Sequence, residues 1–258
     1  MNKYEIGFKE RTWLMAAVLA AVMGGCGGDE IFGTAGGGGA LAPGAGSCAS
    51  GALPLGSAAS FGVLGGSALT VTNPTSVTGN VGAPSITPAA GPSTLVGTMY
   101  DSSPATELTV ISTAVTDMQN SIACGVARPC DFNYLAGHDF GGDTLQPGVH
   151  CVPGAMSVGS NLTLSNPGVY IFRATGALTS ADSITVAFGG TANAANSSVF
   201  WVSSGVASGA SIGATNVFLG TIMVDPAAAV LGANTTLLPG RVLSGSAVTL
   251  DTNQIAIP

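Results

Sequence analysis

The sequence predicts a mainly β fold, a β-helix (solenoid) with one long α-helix packed alongside it. Short apolar segments return about every twenty residues between small-residue turns, as Phe218–Ile222 returns at Leu238–Val242. One longer segment, Ala105–Ala123, has the spacing of an amphipathic helix instead. Repeats of this length that are rich in Gly and Ala are typical of coils that bury their inner side chains by stacking on one another. The chain is therefore expected to present flat faces.

Charged residues are scarce and mostly acidic. They make up 7% of the 258 residues, alongside 39 Gly. Without its first 25 residues the chain would keep three Arg, no Lys and eleven acidic residues, a net charge of about −8. Phosphate binding requires clustered basic side chains, so nucleic acid is not expected as a partner.

The N-terminus has the organisation of a secretory signal peptide. Three basic residues precede the apolar run Trp13–Met23, which is too short to span a membrane and is followed by two Gly and Cys26. We expect residues 1–25 to be a signal peptide of the lipoprotein type, because small residues directly before a Cys resemble the bacterial lipobox. Cys26 would then carry lipid; ordinary cleavage and a retained anchor are the alternatives. The protein is expected to be an outer-membrane or cell-surface lipoprotein, or otherwise secreted.

Residues 26–54 are rich in Gly and Ala, with four Gly in a row at Gly36–Gly39. A segment of this composition lacks the apolar side chains of a core and is typical of a flexible tether. We therefore expect the folded domain to span residues 55–258. If Cys26 is lipidated, the tether would hold this domain off a membrane surface.

The four remaining cysteines predict disulfides. In an exported protein, an even number of thiols favours disulfides over metal ligands. We expect a bridge from Cys151 to Cys124 or Cys130, while Cys48 pairs with the third cysteine or stays free. No Cys-x-x-Cys occurs, and only two His are available to join the cysteines, so no metal site is expected.

The elements follow in order along the domain. Leu55–Val81 alternates apolar and small polar residues between turn residues, which predicts several short strands. A helix is expected at about 104–123, because Pro104 starts it, Gly125 and Pro129 stop it, and apolar residues recur at spacings of three and four. That stripe consists of Leu108, Ile111, Val115, Met118 and Ile122. This apolar stripe must be buried against another apolar surface, and the flank of the coils offers the largest one. From Phe132 onward, strand and turn units continue to the end.

This order of parts resembles the microbial ice-binding proteins that have a discontinuous right-handed β-solenoid. The resemblance spans Leu55–Pro258 and rests on the segments LAGHDFGGDTLQPGVHC (135–151), GVYIFRATGALTS (168–180), VFWVSSGVASGASIGATNVFLGTIM (199–223) and GRVLSGSAVTLDTNQI (240–255). It implies that the N-terminal strands and the C-terminal coils come together, that one helix lies along the axis, and that a flat β-face binds ice. His150 departs from the pattern, since the family usually has an aromatic residue there. No cofactor is implied, and a monomer is expected.

The resemblance also implies where ice would bind. Stacked coils repeat equivalent residues about every 4.7–4.9 Å, a scale comparable with ordered water. Short hydroxyl and amide side chains near the repeated turns follow a loose Thr-Ala/Gly-x-Thr/Asn pattern. The candidates are Ser183, Thr215, Asn216, Asn234, Thr235, Thr249 and Thr252. Alternatively, such residues are only solvated or belong to ladders of turns.

Two other functions are alternatives to ice binding. Solenoid enzymes that cleave polysaccharides need clustered carboxylates with a basic residue, whereas the acids of these repeats are isolated. His138 and Asp139 near Asp143 form the densest polar cluster, and a turn-rich position favours a structural role for it. An enzyme is therefore not expected. A surface adhesin or matrix component that binds glycan or another surface is the stronger alternative.

Overall fold

The computed structural model describes Cys48, residues 50–88 and residues 91–258. In this part of the chain one α-helix, α1 (Ala105–Ala127), and one short 3-10 helix, Gly56–Ser60, accompany 21 strands. The strands are β1 (Phe61–Gly65), β2 (Ala68–Val71), β3 (Ser76–Thr78), β4 (Asn80–Gly82), β5 (Ile86–Thr87), β6 (Thr94–Val96), β7 (Met99–Tyr100), β8 (Phe132–Asn133), β9 (His138–Asp139), β10 (Thr144–Leu145), β11 (Gly148–Val152), β12 (Met156–Val158), β13 (Leu162–Leu164), β14 (Gly168–Ser180), β15 (Val186–Phe188), β16 (Ser197–Ile212), β17 (Val217–Asp225), β18 (Ala229–Leu231), β19 (Thr236–Ser244), β20 (Ala247–Leu250) and β21 (Gln254–Ala256).

The strands pair in parallel and build three faces, to each of which the successive coils contribute one strand. The helix-covered face has the strand order β8-β11-β14-β16-β17-β19-β1-β4-β7. The hydroxyl face has the order β9-β12-β14-β16-β18-β20-β2-β5. The third face has the order β10-β13-β15-β17-β19-β21-β3-β6. The long strands β14, β16, β17 and β19 turn a corner and belong to two faces each.

The stack is discontinuous in sequence, as predicted. The last coil of the chain lies against the first, because β19, β20 and β21 pair with β1, β2 and β3. From there the stack continues through β4–β6 to β7. The chain then returns along the helix-covered face as α1 and starts β8 at the other end of the stack. The predicted solenoid with one helix alongside it is thereby confirmed.

Helix α1 is long enough to reach across the stack. Its 23 residues correspond to about 35 Å, and nine parallel strands at about 4.8 Å spacing cover about 38 Å. The helix runs past its predicted end because Gly125 is buried against Leu53 and Val202 and is part of the helix. It ends at Ala127, since Arg128 precedes Pro129 and a residue before proline disfavours helical backbone. Ile111, Met118 and Ile122 of the predicted stripe are buried, Val115 is partly buried, and Leu108 remains exposed.

Two apolar cores lie on either side of the helix-covered face. One fills the interior of the coils, and the other lies between this face and α1. A column of aromatic rings on successive strands runs from the exposed Phe132 at the end of the stack into the interior: Phe132, His150, Phe172 and Trp201. Their ring centroids are 4.5, 4.9 and 4.2 Å apart, and the rings are stacked. The imidazole of His150 thus occupies an aromatic position of the column.

Ordered contacts begin before Leu55. Cys48 forms a disulfide with Cys124 of α1, and the Arg128 guanidinium donates hydrogen bonds to the carbonyls of Cys48, Ser50 and Gly51. Leu53 is buried against the helix. The segment from Cys48 is therefore part of the folded unit, although its composition predicted a tether up to residue 54.

Candidate functional site

The hydroxyl face carries one column of outward side chains that runs across all eight of its strands. The pairing register aligns Asp139, Ser157, Thr179, Ser211, Val230, Thr249, Thr70 and Thr87. Because side chains alternate between the two sides of a strand, the residues between them point into the core. Leu178, Val248 and Leu69 are such inward neighbours and are fully buried.

A second column, two positions earlier on each strand, consists of alanines and other small residues. Ala68 and Ala247 are aligned directly, and period-two alternation adds Ala155, Ala177, Gly209, Ala228 and Ser85 on the other strands. An alanine methyl group thus stands beside a hydroxyl group on four of the eight strands, β12, β14, β20 and β2, while Val230 replaces the hydroxyl on β18 and Gly209 the methyl group on β16. Neighbouring strands place the next residue of each column about 4.8 Å away.

The hydroxyls in the middle of this face are available to water. Within the described residues, the side chains of Thr179, Ser211, Thr249 and Thr70 form no hydrogen bonds with protein groups. Asp139 is the acid of the column and lies at its end. Its carboxylate accepts hydrogen bonds from the backbone N–H groups of Gly141 and Gly159, which lower the pKa of Asp139. The remaining positions of the column are uncharged.

Four of the predicted candidates form a separate column at the corner between the hydroxyl face and the third face. Ser183, Thr215, Asn234 and Thr252 have left-handed φ values of 54–58°. Backbone hydrogen bonds link consecutive corners, with Ser183 N donating to Ala214 O and Thr215 N donating to Ala233 O. The hydroxyls of Ser183 and Thr215 are 2.8 Å apart and bond to each other. The sequence pattern therefore marks a repeated turn, where the left-handed conformation is required.

Asn216 and Thr235 are buried and do not contact solvent, so their assignment to an ice-binding surface is wrong. Each is 1% exposed. The Asn216 amide accepts from Ile184 N and donates to Ser180 Oγ and Ala181 O, while Thr235 Oγ1 donates to Gly213 O. These side chains satisfy backbone groups beneath the corner, which is why polar residues recur there.

Thr249 is the predicted candidate that lies on the hydroxyl face. The other outward Thr and Ser residues of the face, namely Thr70, Thr87, Ser157, Thr179 and Ser211, were not among the candidates. A signal for them exists in the sequence, because Ala-x-Thr occurs at 68–70, 177–179 and 247–249. The turn pattern next to these tripeptides repeats more regularly in the sequence. The prediction therefore selected residues of the turns instead of the outward residues of the strands.

The third face is less regular than the hydroxyl face. Its outward column aligns Thr185, Val217, Thr236, Gln254, Ser76 and Thr94. The large apolar side chains of Val217, Leu238 and Val96 are 48%, 40% and 63% exposed on it. Methyl and hydroxyl groups therefore do not repeat on this face with one period.

The groups that catalysis would require are not brought together in the part of the chain that the structure describes. His138 Nε2 lies 3.7 Å from Asp143 Oδ2 in the terminal coil, and His138 packs on the ring of Tyr134. No group of three His, Cys, Asp or Glu residues that could hold a metal occurs among the described residues.

None of the helices described is both long and apolar enough to cross a membrane. Cys26 and the signal peptide expected from the sequence lie outside the described residues.

The four cysteines of the described chain form two disulfides. Cys130 pairs with Cys151, at a Cα–Cα distance of 5.8 Å, and Cys48 pairs with Cys124, at 5.1 Å. Disulfides at Cys151 and at Cys48 are thus confirmed, with Cys130 as the partner of Cys151. Such bonds are consistent with an oxidising, extracytoplasmic environment.

Comparison with known proteins gives one consistent result. The model of the family described as "Ice-binding-like" matches residues 63–256. An ice-binding protein of Flavobacterium frigoris (strain PS1) is 32% identical over 217 residues, which cover 79% of this chain and 76% of that protein. An ice-binding protein of Colwellia sp is 32% identical over 221 residues, covering 80% and 84%.

A solved structure is similar over the same region. The ice-binding protein from the Antarctic ascomycete Antarctomyces psychrotrophicus superimposes with a TM-score of 0.69 at 25% identity. The match covers 80% of this chain and 98% of that structure. The similarity thus includes the coils that carry the hydroxyl face.

Proposed function

This chain belongs to the ice-binding-like family, and from that premise we propose that it binds ice crystals through the hydroxyl face and inhibits their growth or recrystallisation. The observation that carries the proposal is the pair of columns of that face, in which the unbonded hydroxyls of Thr179, Thr249 and Thr70 each stand beside an alanine methyl group. Hydroxyls hold first-shell water by hydrogen bonds, and methyl groups order water without binding it strongly. Together they hold water in an ice-like arrangement.

Rigidity and low charge support the same proposal. The residues beneath the face, such as Leu69, Val248 and Leu178, are fully buried in the core of the coils. The face therefore need not be ordered on contact with a crystal, and little entropy is lost on binding. A fixed charge would orient water around itself instead, and the column from Ser157 to Thr87 carries none.

The test is a pair of tyrosine variants on two faces of the same coil. Thr249→Tyr places a large ring in the middle of the hydroxyl face, whereas Thr236→Tyr places it on the third face. Both threonines are half-buried and lie on paired strands. In drops cooled slowly under a microscope, Thr236→Tyr is expected to shape crystals as the wild type does, and Thr249→Tyr to leave round discs. The reverse result would assign ice binding to the third face.

Wild-type protein that leaves ice crystals as unmodified discs would instead favour an adhesin that binds glycan or another surface. A glycan array tests that alternative directly.

For ice binding we propose no enzymatic step, no cofactor and no second subunit. The isolated acids of the coils, Asp182, Asp225 and Asp251, support a role without catalysis, because they lack the paired carboxylate and the basic partner that hydrolysis requires.

The protein is further proposed to be exported and lipidated at Cys26, which tethers the domain to the outer membrane or cell surface. The position of Cys48 supports this arrangement, because Cys48 is bonded to Cys124 on α1. A tether that joins the domain on the helix side leaves the hydroxyl face free to meet ice. Radiolabelled palmitate should be incorporated into the wild type and not into Cys26→Ala. Equal labelling of both proteins would contradict lipidation at Cys26.

A further inference from the structure

The two disulfides of the described chain have a similar construction. Cys130 and Cys48 are half-buried, and their partners Cys151 and Cys124 are 7% and 2% exposed. Both bonds lie near the C-terminal end of α1, and an arginine contacts a half-buried cysteine in each case. The two arginines contact different atoms, however, and this difference separates the chemistry of the two bonds.

Arg173 contacts the sulfur atom of Cys130. Its Nη2 donates to Cys130 Sγ at 2.8 Å, and its Nη1 donates to backbone carbonyls around the end of α1, among them that of Arg128 at 2.8 Å. The carbonyl bonds hold the guanidinium in place. No carboxylate of the described residues lies within 4.0 Å of Arg173. The cation is therefore available to a negative charge that develops on Cys130 Sγ.

A cavity of about 290 Å³ lies beside this disulfide. Cys130, Cys151 and Arg173 line it, and Val126 and Pro153 contribute apolar walls. At about 30 Å³ for each water molecule, such a space holds several waters or one small organic molecule. A small molecule in the cavity would thus lie next to both the disulfide and the guanidinium.

The Cys48–Cys124 disulfide has different surroundings. The Arg128 guanidinium donates to the carbonyls of Cys48, Ser50 and Gly51, and these bonds engage all three of its nitrogens. A cavity of about 220 Å³ adjoins Arg128, but neither cysteine of this bond lines it. This second disulfide therefore serves as a natural reference for the first.

We propose that the Cys130–Cys151 disulfide is a site of thiol–disulfide exchange with a small thiol that enters the cavity. The incoming thiolate attacks Cys151 Sγ and forms a mixed disulfide there. The bond between the two cysteines breaks, and its electron pair leaves on Cys130 Sγ. Arg173 stabilises this leaving thiolate, because a guanidinium interacts more strongly with an anion than with a neutral sulfur. One disulfide replaces another, so the step needs no oxidant or reductant.

The terminal coil should stay folded after the exchange. Strand β8 remains joined to β11 by backbone hydrogen bonds, in which Asp131 N donates to Val149 O and Tyr134 N donates to Cys151 O. The folded protein would then carry the small thiol on Cys151. The proposal does not depend on ice binding.

The experiment treats the protein, with both disulfides formed, with 2-mercaptoethanol at about pH 8, near the ordinary pKa of a thiol. Free thiols are blocked with iodoacetamide at successive times, and peptide mass spectrometry measures both disulfides. We expect the Cys130–Cys151 bond to open at least about tenfold faster than the Cys48–Cys124 bond. At early times mercaptoethanol should be found on Cys151 and the alkyl group on Cys130. Equal or reversed rates, or mercaptoethanol on Cys130, would overturn the proposal.

Variants of the two arginines test the role of the cation. Arg173→Gln should slow the opening of the Cys130–Cys151 bond by about tenfold, whereas Arg173→Lys keeps the charge and should retain most of the rate. Arg128→Gln is the matched control and should leave this rate unchanged. If Arg173 only fastened the end of α1, its loss would loosen the segment, and an equal or faster opening would contradict the proposal. If Arg173→Gln does not fold, the two rates of the wild type and the position of mercaptoethanol still decide.

Discussion

Thr70 and Thr249 lie side by side on adjacent strands of the hydroxyl face, although they come from the first and the last coil of the chain. Their alignment arises because β2 pairs with β20 where the two ends of the solenoid sequence meet. The column of hydroxyls is continuous across this junction, from Thr249 through Thr70 to Thr87. The candidate ice-binding face therefore exists only when both halves of the chain are assembled.

Thr70→Tyr should remove most of the ice-binding activity, as Thr249→Tyr should, because either ring interrupts the same column of ordered water. The double variant should lose little more than either single one. Thermal hysteresis measures the activity, and urea unfolding should show a change of less than about 0.5 kcal/mol for an outward substitution. Full activity of Thr70→Tyr would mean that ice contacts the face only on the Thr249 side of the junction.

Asn216→Ala should destabilise the protein by about 1–3 kcal/mol, because it leaves the buried N–H of Ile184 without its acceptor. The urea midpoint measures this change. Asn133→Ala is the matched control, since Asn133 is exposed and its side chain bonds to no other described residue. If Asn216→Ala abolished crystal shaping at unchanged stability, the result would assign the ice contact to the corner and contradict its assignment to the hydroxyl face.

Stability should fall as the pH is lowered below about 6.5, and His150 should be responsible. Burial in the aromatic column lowers the pKa of His150. Nε2 donates to Gln146 O and Nδ1 accepts from the Tyr134 hydroxyl, so the folded state holds a neutral ring. The unfolded chain then takes up the proton first as the pH falls, and unfolding is favoured until the folded-state pKa is reached.

Urea midpoints measured between pH 8 and 5 check this pH dependence. His150→Phe, which keeps a stacked ring between Phe132 and Phe172, should flatten the profile, whereas His138→Gln should preserve it. The groups that face the His150 ring also include Asp131 and Asp143, whose charges raise its pKa. A slope that persists unchanged in His150→Phe would assign the titration to another group.

Replacement of both Cys48 and Cys124 by Ala should cost about 2–4 kcal/mol of stability, since the disulfide closes a loop between residues 76 apart. Crystal shaping at low temperature should remain, because the disulfide lies on the helix side. Limited proteolysis should cleave the double variant near Ser50 well before the wild type. Equal protection of both proteins would mean that Arg128 and Leu53 hold this segment without the disulfide.

The sequence by itself determined the repeated strand and turn units, the helix around Ile111 and Met118, and a disulfide from Cys151 to either Cys124 or Cys130. These features depend on local periodicity, on turn residues and on the chemistry of cysteine. The order of the segments also indicated the resemblance to the ice-binding family. Helix α1 ended four residues later than predicted, because packing of Gly125 against Leu53 outweighs its low helix propensity.

Only the tertiary structure decided which polar residues face outward. Thr249 and Thr235 have the same side chain and both lie near a repeated turn, yet Thr249 lies on the hydroxyl face and Thr235 is buried beneath the corner. The side chains of a strand alternate with a period of two, so a shift of one residue at a corner moves a side chain to the opposite side. The corner adopts left-handed backbone at Asn234 and interrupts that alternation. Pairing between coils sets the register anew after each corner, and this register depends on contacts between distant parts of the chain.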